Sequence, residues 1–126
     1  MHNLISICGY SRSGSTLLGR VFGQIDGAFN VGELNQVWKN ALDRHRPGEC
    51  NKHVSECDFW RGVFEASLGR IASLDISRYR RLAHDARKQW RKPSRFFSST
   101  KKIRRYGEVL AKLLEGARKI AECDFI

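Results

Sequence analysis

Apolar residues recur at helical spacing through most of this chain and form short uninterrupted runs near its start. Spacings of three and four residues predict amphipathic helices, whereas short apolar runs beside Gly or Ser predict buried strands. Helices are predicted over residues 15–25, 33–44, 59–68, 76–90 and 101–121. Strands are predicted over residues 3–9, 29–31 and 124–126. Strands that alternate with helices predict an α/β fold with a short parallel sheet.

The junction between the first strand and the first helix is rich in Gly and in small hydroxyl residues. Residues 9–16 read G-Y-S-R-S-G-S-T, in which Gly9 and Gly14 permit a sharp turn and a close backbone approach. A helix that begins here presents unpaired N–H groups and the positive end of its dipole to an anion. Further hydroxyl donors are Ser13, Ser15 and Thr16. This junction therefore predicts a site for the phosphate group of a nucleotide-like ligand.

The same loop nearly matches the Walker A pattern, but Ser15 occupies the position of its Lys. Because that Lys reaches the β- and γ-phosphates in nucleoside triphosphatases, the loop argues against hydrolysis of ATP or GTP. Arg12 is the only cation of the loop and could neutralise a terminal phosphate or a leaving group. The alternatives are another P-loop phosphate-binding transferase and a Ser-rich connection that binds nothing.

Residues 10–18, Y-S-R-S-G-S-T-L-L, resemble the 5′-phosphosulfate loop of sulfotransferases that use 3′-phosphoadenylyl sulfate. Arg12 falls on the basic position of that loop, and Ser11 stands where Pro is frequent. The G-E pair that ends in Glu33 resembles protein-tyrosine and bacterial sulfotransferases, where this Glu is taken as the catalytic base; C-D-F-W, residues 57–60, resembles a stretch of bacterial members. The resemblance thus implies that Arg12 and Glu33 are catalytic. It implies that the donor is held by Ser11, Arg12, Ser13, Gly14, Ser15 and Thr16.

The resemblance implies transfer of a sulfuryl group from 3′-phosphoadenylyl sulfate to a hydroxyl or amine. The acceptor would be a small molecule, a carbohydrate or a peptide, and no metal is expected. A P-loop-like three-layer fold is implied, with residues 1–126 as the N-terminal part of a single domain truncated after the third strand. The groups that hold the 3′-phosphate follow that strand in the bacterial relatives. We therefore expect no measurable transfer activity from this chain alone and a strong tendency to aggregate on expression. For Glu33, the alternative role is that of a helix N-terminal acid favoured by the dipole.

Positive charge is concentrated in one part of the chain. The formal net charge is +10, and residues 78–105 hold twelve Lys or Arg against one acid, Asp85 (12 − 1 = +11). The aromatic residues Trp90, Phe96 and Phe97 lie among these bases. The preferred interpretation of this pattern is a solvated helix face. The second is a surface that attracts an acidic ligand to the protein. The third is a non-catalytic protein that binds nucleic acid or other anions.

The cysteines and the apolar runs bear on redox state and location. Cys8 and Cys123 fall in predicted strands and are expected to be buried thiols. Cys50, His53 and Cys57 have zinc-ligand chemistry, but a fourth ligand is not evident, so thiols without metal are favoured. No apolar stretch approaches the roughly 18 residues of a membrane span, and no signal-peptide pattern is present, so a cytoplasmic location is expected.

Overall fold

Helices dominate the protein. The structure, a computed structural model, describes residues 3–9, 13–42, 52–90, 101–124 and 126. Within these ranges the chain forms five α-helices and two 3₁₀ turns. The helices are α1 (Ser15–Phe22), α2 (Val37–Leu42), α3 (Asp58–Ser67), α4 (Ile76–Trp90) and α5 (Lys101–Ala121). The 3₁₀ turns are Leu34–Gln36, directly before α2, and Ile71–Ser73, between α3 and α4.

The predicted α/β fold, with its P-loop-like layers and parallel sheet, is wrong for the described residues, which contain no β-strand. Among the described residues, residues 3–9 and Ile126 are joined only by isolated backbone hydrogen bonds, and none of these bonds involves residues 29–31. The Ile5 N–H donates to the Ile126 carbonyl at 2.8 Å, and the Ile126 N–H donates to the Asn3 carbonyl at 3.1 Å.

A parallel sheet gains its stability from a long ladder of such bonds and from burial of both faces. The N-terminal run lacks such a ladder, since it makes only the isolated hydrogen bonds just described. It also lacks burial, since Leu4 is 54% exposed and Ile5 is 43% exposed. The run is apolar enough to be a core strand, but the described chain places no layer on either side of it that buries these two residues.

The helix predictions are largely confirmed. Helices α4 and α5 have the predicted bounds, and α3 is displaced from its predicted range by one residue at each end. Helix α1 ends at Phe22, earlier than predicted, and the helix predicted over residues 33–44 is divided into a 3₁₀ turn and α2. Local chemistry fixes the start of α4, since the Asp75 carboxylate accepts the N–H of Arg78 at 2.9 Å.

Trp38 of α2 lies at the centre of the core and touches three other helices. Its indole stacks on Tyr79 of α4 with ring centroids 4.8 Å apart and meets Phe64 of α3 edge-on at 5.8 Å. The indole N–H donates to the Tyr106 hydroxyl of α5 at 3.3 Å, so the polar atom of this buried side chain is satisfied. Burial raises the pKa of the Tyr106 hydroxyl above its ordinary value.

Helices α3 and α5 approach each other closely at a glycine. A Cβ on Gly116 of α5 would lie 2.9 Å from the Val63 carbonyl oxygen of α3 and 3.2 Å from the Ser67 Cβ. The first distance is shorter than a Cβ tolerates against a backbone atom and the second is tight, so the contact favours Gly at this position. Leu113 and Ala117, on the same face of α5, are fully buried at this interface and its surroundings.

Candidate functional site

The start of α1 has the features expected of an anion-binding helix terminus. Gly14 precedes the helix with φ +81°, a left-handed conformation that favours Gly. Its carbonyl accepts the N–H of Leu18 at 3.0 Å, and no side chain caps the helix. The N–H groups of the first turn therefore keep their donor capacity for a ligand or for water.

The loop before α1 is compact at Gly9. A Cβ on Gly9 would overlap the Ser13 Oγ and would lie 3.2 Å from the Ser15 Cβ. Any larger residue at this position would push the Ser13 hydroxyl away from the helix start. Ser11 and Arg12 lie outside the described residues, so their predicted roles remain predictions.

A cleft of about 150 Å³ opens beside the first turn of α1. Ser15 and Thr16 line it on one side and Glu33 lines it on another, while Ser13 and Gly14 are not among its lining residues. Its remaining walls include apolar side chains of residues 3–9 and 29–31, among them Ile7 and Phe29. The volume lies below the roughly 300–1,000 Å³ of pockets that enclose a whole small molecule. The cleft therefore suits the anionic end of a ligand better than a complete nucleotide.

Asn30 builds the wall of the cleft that carries Glu33, and the sequence prediction missed this role. The Asn30 side-chain oxygen accepts the N–H of Gly32 at 3.0 Å, and Gly32 adopts a positive φ of 70°. Together they turn the chain so that Glu33 follows directly at the cleft. The pair of Asn and Gly two residues apart is a turn signal that could have identified this feature in the sequence.

Two glycines, Gly19 within α1 and Gly23 directly after it, bring the helix against this wall. A Cβ on Gly19 would lie 3.2 Å from the Asn30 amide nitrogen, and a Cβ on Gly23 would lie 3.1 Å from the Asn30 Cβ. Gly19 is the buried residue of α1, and it also lines the cleft. Helix α1 is therefore positioned against the 29–33 segment by close backbone approach at small residues.

Glu33 is exposed and lies immediately before the Leu34–Gln36 turn. Its carbonyl accepts the N–H of Gln36 at 2.8 Å, while its carboxylate caps no N–H group of that turn. The carboxylate is thus not used as a helix cap, and Glu33 lines the cleft together with Ser15 and Thr16. The structure brings together three of the predicted site residues, although they come from two separate parts of the chain.

The metal alternative gains no support from the described residues. They contain no group of three or more His, Cys, Asp or Glu side chains placed to hold a metal ion. Cys50 lies outside the described ranges, and the His53 Nδ1 is 2.6 Å from the Ser55 hydroxyl. Cys123 is buried as predicted, which raises the pKa of its thiol, whereas Cys8 is exposed and the prediction of a buried thiol there is wrong.

Comparisons with known proteins identify no relative. No family model matches the sequence, and neither a curated protein nor a solved structure is significantly similar to it. In the described part of the chain, the helices are too short or too polar to cross a bilayer.

Proposed function

We propose that this protein binds the 5′-phosphosulfate end of 3′-phosphoadenylyl sulfate at the start of α1 and serves sulfuryl transfer to a hydroxyl or amine. The observation that carries the proposal is the single cleft lined by Ser15, Thr16 and Glu33. An anion at the helix start would lie beside a carboxylate able to accept the proton of an attacking group.

In this proposal, the first-turn N–H groups and the hydroxyls of Ser15 and Thr16 hold the phosphate oxygens. The acceptor oxygen or nitrogen attacks the sulfur in line and forms the new bond. The bond between sulfur and the bridging oxygen breaks, and its electron pair leaves with adenosine 3′,5′-bisphosphate. Arg12, included on the sequence alone, neutralises the charge that develops on that oxygen, and Glu33 takes the proton of the acceptor.

A different P-loop phosphotransferase is less well supported. Ser15 replaces the Lys that would reach the β- and γ-phosphates of ATP or GTP. The cleft is also small and partly apolar, which suits one compact anionic group better than a triphosphate with its metal ion.

Calorimetric titration of the full chain with adenosine 3′,5′-bisphosphate, ATP and inorganic sulfate tests the proposal. We expect the bisphosphate to bind more tightly than ATP. Arg12→Ala should weaken its binding by roughly 1.5–3 kcal/mol, the contribution of a charge-assisted contact. Ser15→Ala should weaken binding by about 0.5–1.5 kcal/mol, whereas the exposed helix residue Ser77 offers a matched Ser→Ala control without effect.

Glu33 gives a second, opposite expectation. Because its carboxylate would contact the acceptor and not the nucleotide, Glu33→Gln should leave bisphosphate affinity unchanged, as should Glu65→Gln on the exposed face of α3. Tighter binding of ATP than of the bisphosphate would contradict the proposal in favour of a triphosphate site. Equal affinity of wild type, Arg12→Ala and Ser15→Ala would place the bound nucleotide elsewhere.

A further inference from the structure

A groove of about 740 Å³ runs between α4 and α5, on a surface that does not share any lining residue with the cleft. Four basic side chains line it, two from each helix, and all four are exposed. They are Arg78, Arg81, Arg105 and Lys112.

The acids of the groove are already paired with bases that do not line it. The Asp85 carboxylate is 2.7 Å from the Lys102 ammonium, and the Glu108 carboxylate is 3.8 Å from the Arg104 guanidinium. Among the described residues, no ion pair involves any of the four basic side chains that line the groove. The groove therefore presents uncompensated positive charge to a partner.

Between these basic side chains, the floor of the groove is apolar. Leu68, Tyr79 and Val109 are partly buried and pack against the core, and Leu82 of α4 is half-buried beside them. A ligand that fills the groove would therefore desolvate apolar surface along its centre and would meet guanidinium and ammonium groups at its sides.

The bases repeat at helical intervals. Arg78 and Arg81 are three residues apart on α4, and Arg105 and Lys112 are seven residues apart on α5. Seven residues advance a helix by about 10 Å and return to the same face. A partner helix with carboxylates at intervals of three or four residues and of seven residues would therefore space them at the same distances as these basic side chains.

We propose that this groove binds an acidic amphipathic helix of a partner protein. Its carboxylates would contact the four bases, and its apolar face would cover Leu82 and Tyr79. Nucleic acid fits the groove less well, because Tyr79 is the one aromatic platform among the lining residues on which a base could stack.

Fluorescence anisotropy with a labelled peptide as long as α5 tests this proposal. The peptide carries Leu at heptad positions a and d and Glu at e and g. Two control peptides replace each Glu by Gln or each Leu by Ser, and a single-stranded DNA of equal net charge is the fourth probe. We expect the Glu and Leu peptide to bind, and both replacements to weaken its binding by about tenfold or more.

A pair of triple variants locates the binding. Arg78→Gln, Arg81→Gln and Arg105→Gln together should weaken peptide binding by about tenfold or more. The matched triple, Arg20→Gln, Lys39→Gln and Arg70→Gln, changes the net charge equally at exposed sites outside the groove and should change affinity less than about threefold. Neither triple should alter bisphosphate binding at the cleft.

Leu82→Gln tests the apolar floor of the groove without changing the charge. Because Leu82 is not part of the buried core, the substitution should leave the fold intact. It should weaken peptide binding without loss of helix content by circular dichroism. Absence of peptide binding to wild type at low salt would overturn the proposal. So would equal losses in the two triple variants, or DNA binding at least as tight as that of the peptide.

Discussion

The helical body, the described residues from 37 to 124, and the N-terminal segment, the described residues from 3 to 33, bury their apolar side chains very differently. All the buried hydrophobic residues found lie in the helical body, from Val37 to Cys123. In the described chain, six of the eight large apolar side chains that remain exposed lie in the N-terminal segment. They are Leu4, Ile5, Leu17, Leu18, Val21 and Ile25.

The difference shows that an apolar sequence pattern determines which face of a helix is apolar, but not whether another element packs against that face. Helices α1 and α3 both carry apolar residues at helical spacing, yet α3 buries Val63 and Phe64 against its neighbours. Helix α1 buries only Gly19 among its residues. All residues that line the candidate cleft except Ile126 lie in the N-terminal segment. Hydrogen bonds and close glycine contacts, more than core packing, therefore give the cleft its shape.

One substitution in each region tests this difference directly. Leu113 is 0% exposed in α5, whereas Leu17 is 68% exposed in α1. Leu113→Ala should lower the free energy of unfolding by about 2–5 kcal/mol, because it removes buried methyl groups and leaves a cavity. Leu17→Ala should change it by less than about 0.5 kcal/mol. Urea unfolding followed by circular dichroism measures both, and equal losses would contradict the contrast in burial.

A second pair lies within α5 itself. Gly116→Ala should destabilise the protein by about 1–3 kcal/mol, because the new Cβ would meet the Val63 carbonyl oxygen at 2.9 Å. At Gly107, in the same helix, an added Cβ meets no atom within 4 Å. Gly107→Ala should therefore stabilise by roughly 0.5–1 kcal/mol through the higher helix propensity of Ala. Thermal unfolding of the two variants would show shifts of opposite sign, and shifts of the same sign would dispute the α3–α5 contact.

These two regions also explain which features could be predicted from the sequence. Helices α4 and α5 could be predicted from the sequence, because the signals that define them are local. Both carry an apolar stripe at intervals of three and four residues, and Asp75 caps the start of α4. The sheet could not, because a parallel strand depends on partners distant in sequence, and the apolar run of Leu4 and Ile5 carries no information on whether they are present.

The candidate site was predicted in part for the same reason. Gly14 and the start of α1 follow from local Gly and Ser chemistry. That Ser15, Thr16 and Glu33 would line one cleft was expected only from the family resemblance. The part played by Asn30 depends on how α1 packs against the 29–33 segment, which no periodicity in the sequence describes.

Asn30 offers a test of how the N-terminal segment holds its shape. Asn30→Ala removes the acceptor of the Gly32 N–H and should lower the free energy of unfolding by about 0.5–1.5 kcal/mol. Amide hydrogen exchange should accelerate at Gly32 and Glu33 while the helical body keeps its protection. Asn35→Ala, at an exposed position of the following 3₁₀ turn, is the matched control and should leave exchange unchanged. Uniform acceleration along the chain would show that the two regions unfold together.

The smallest expected effect concerns an exposed ion pair on the helical body. The Lys102 ammonium, 2.7 Å from the Asp85 carboxylate, lowers the pKa of that carboxyl below its ordinary value of 3.8, and His84 contributes less. Because the pKa of Asp85 is lower in the folded state, the ion pair stabilises the folded protein at pH values above the ordinary carboxyl pKa. This contribution is lost as the pH falls through the lower, folded-state value. Lys102→Gln should raise the Asp85 pKa, and His84→Gln should raise it by less.

Carboxyl NMR titration of the wild type and the two variants measures these shifts. Lys102 on α5 and Asp85 on α4 belong to different helices, so the shift depends on the packing of the pair and not on sequence neighbours. His84, in contrast, adjoins Asp85 in the sequence and would act even in a separate α4. A larger change from His84→Gln than from Lys102→Gln would therefore contradict the α4–α5 arrangement that also forms the basic groove.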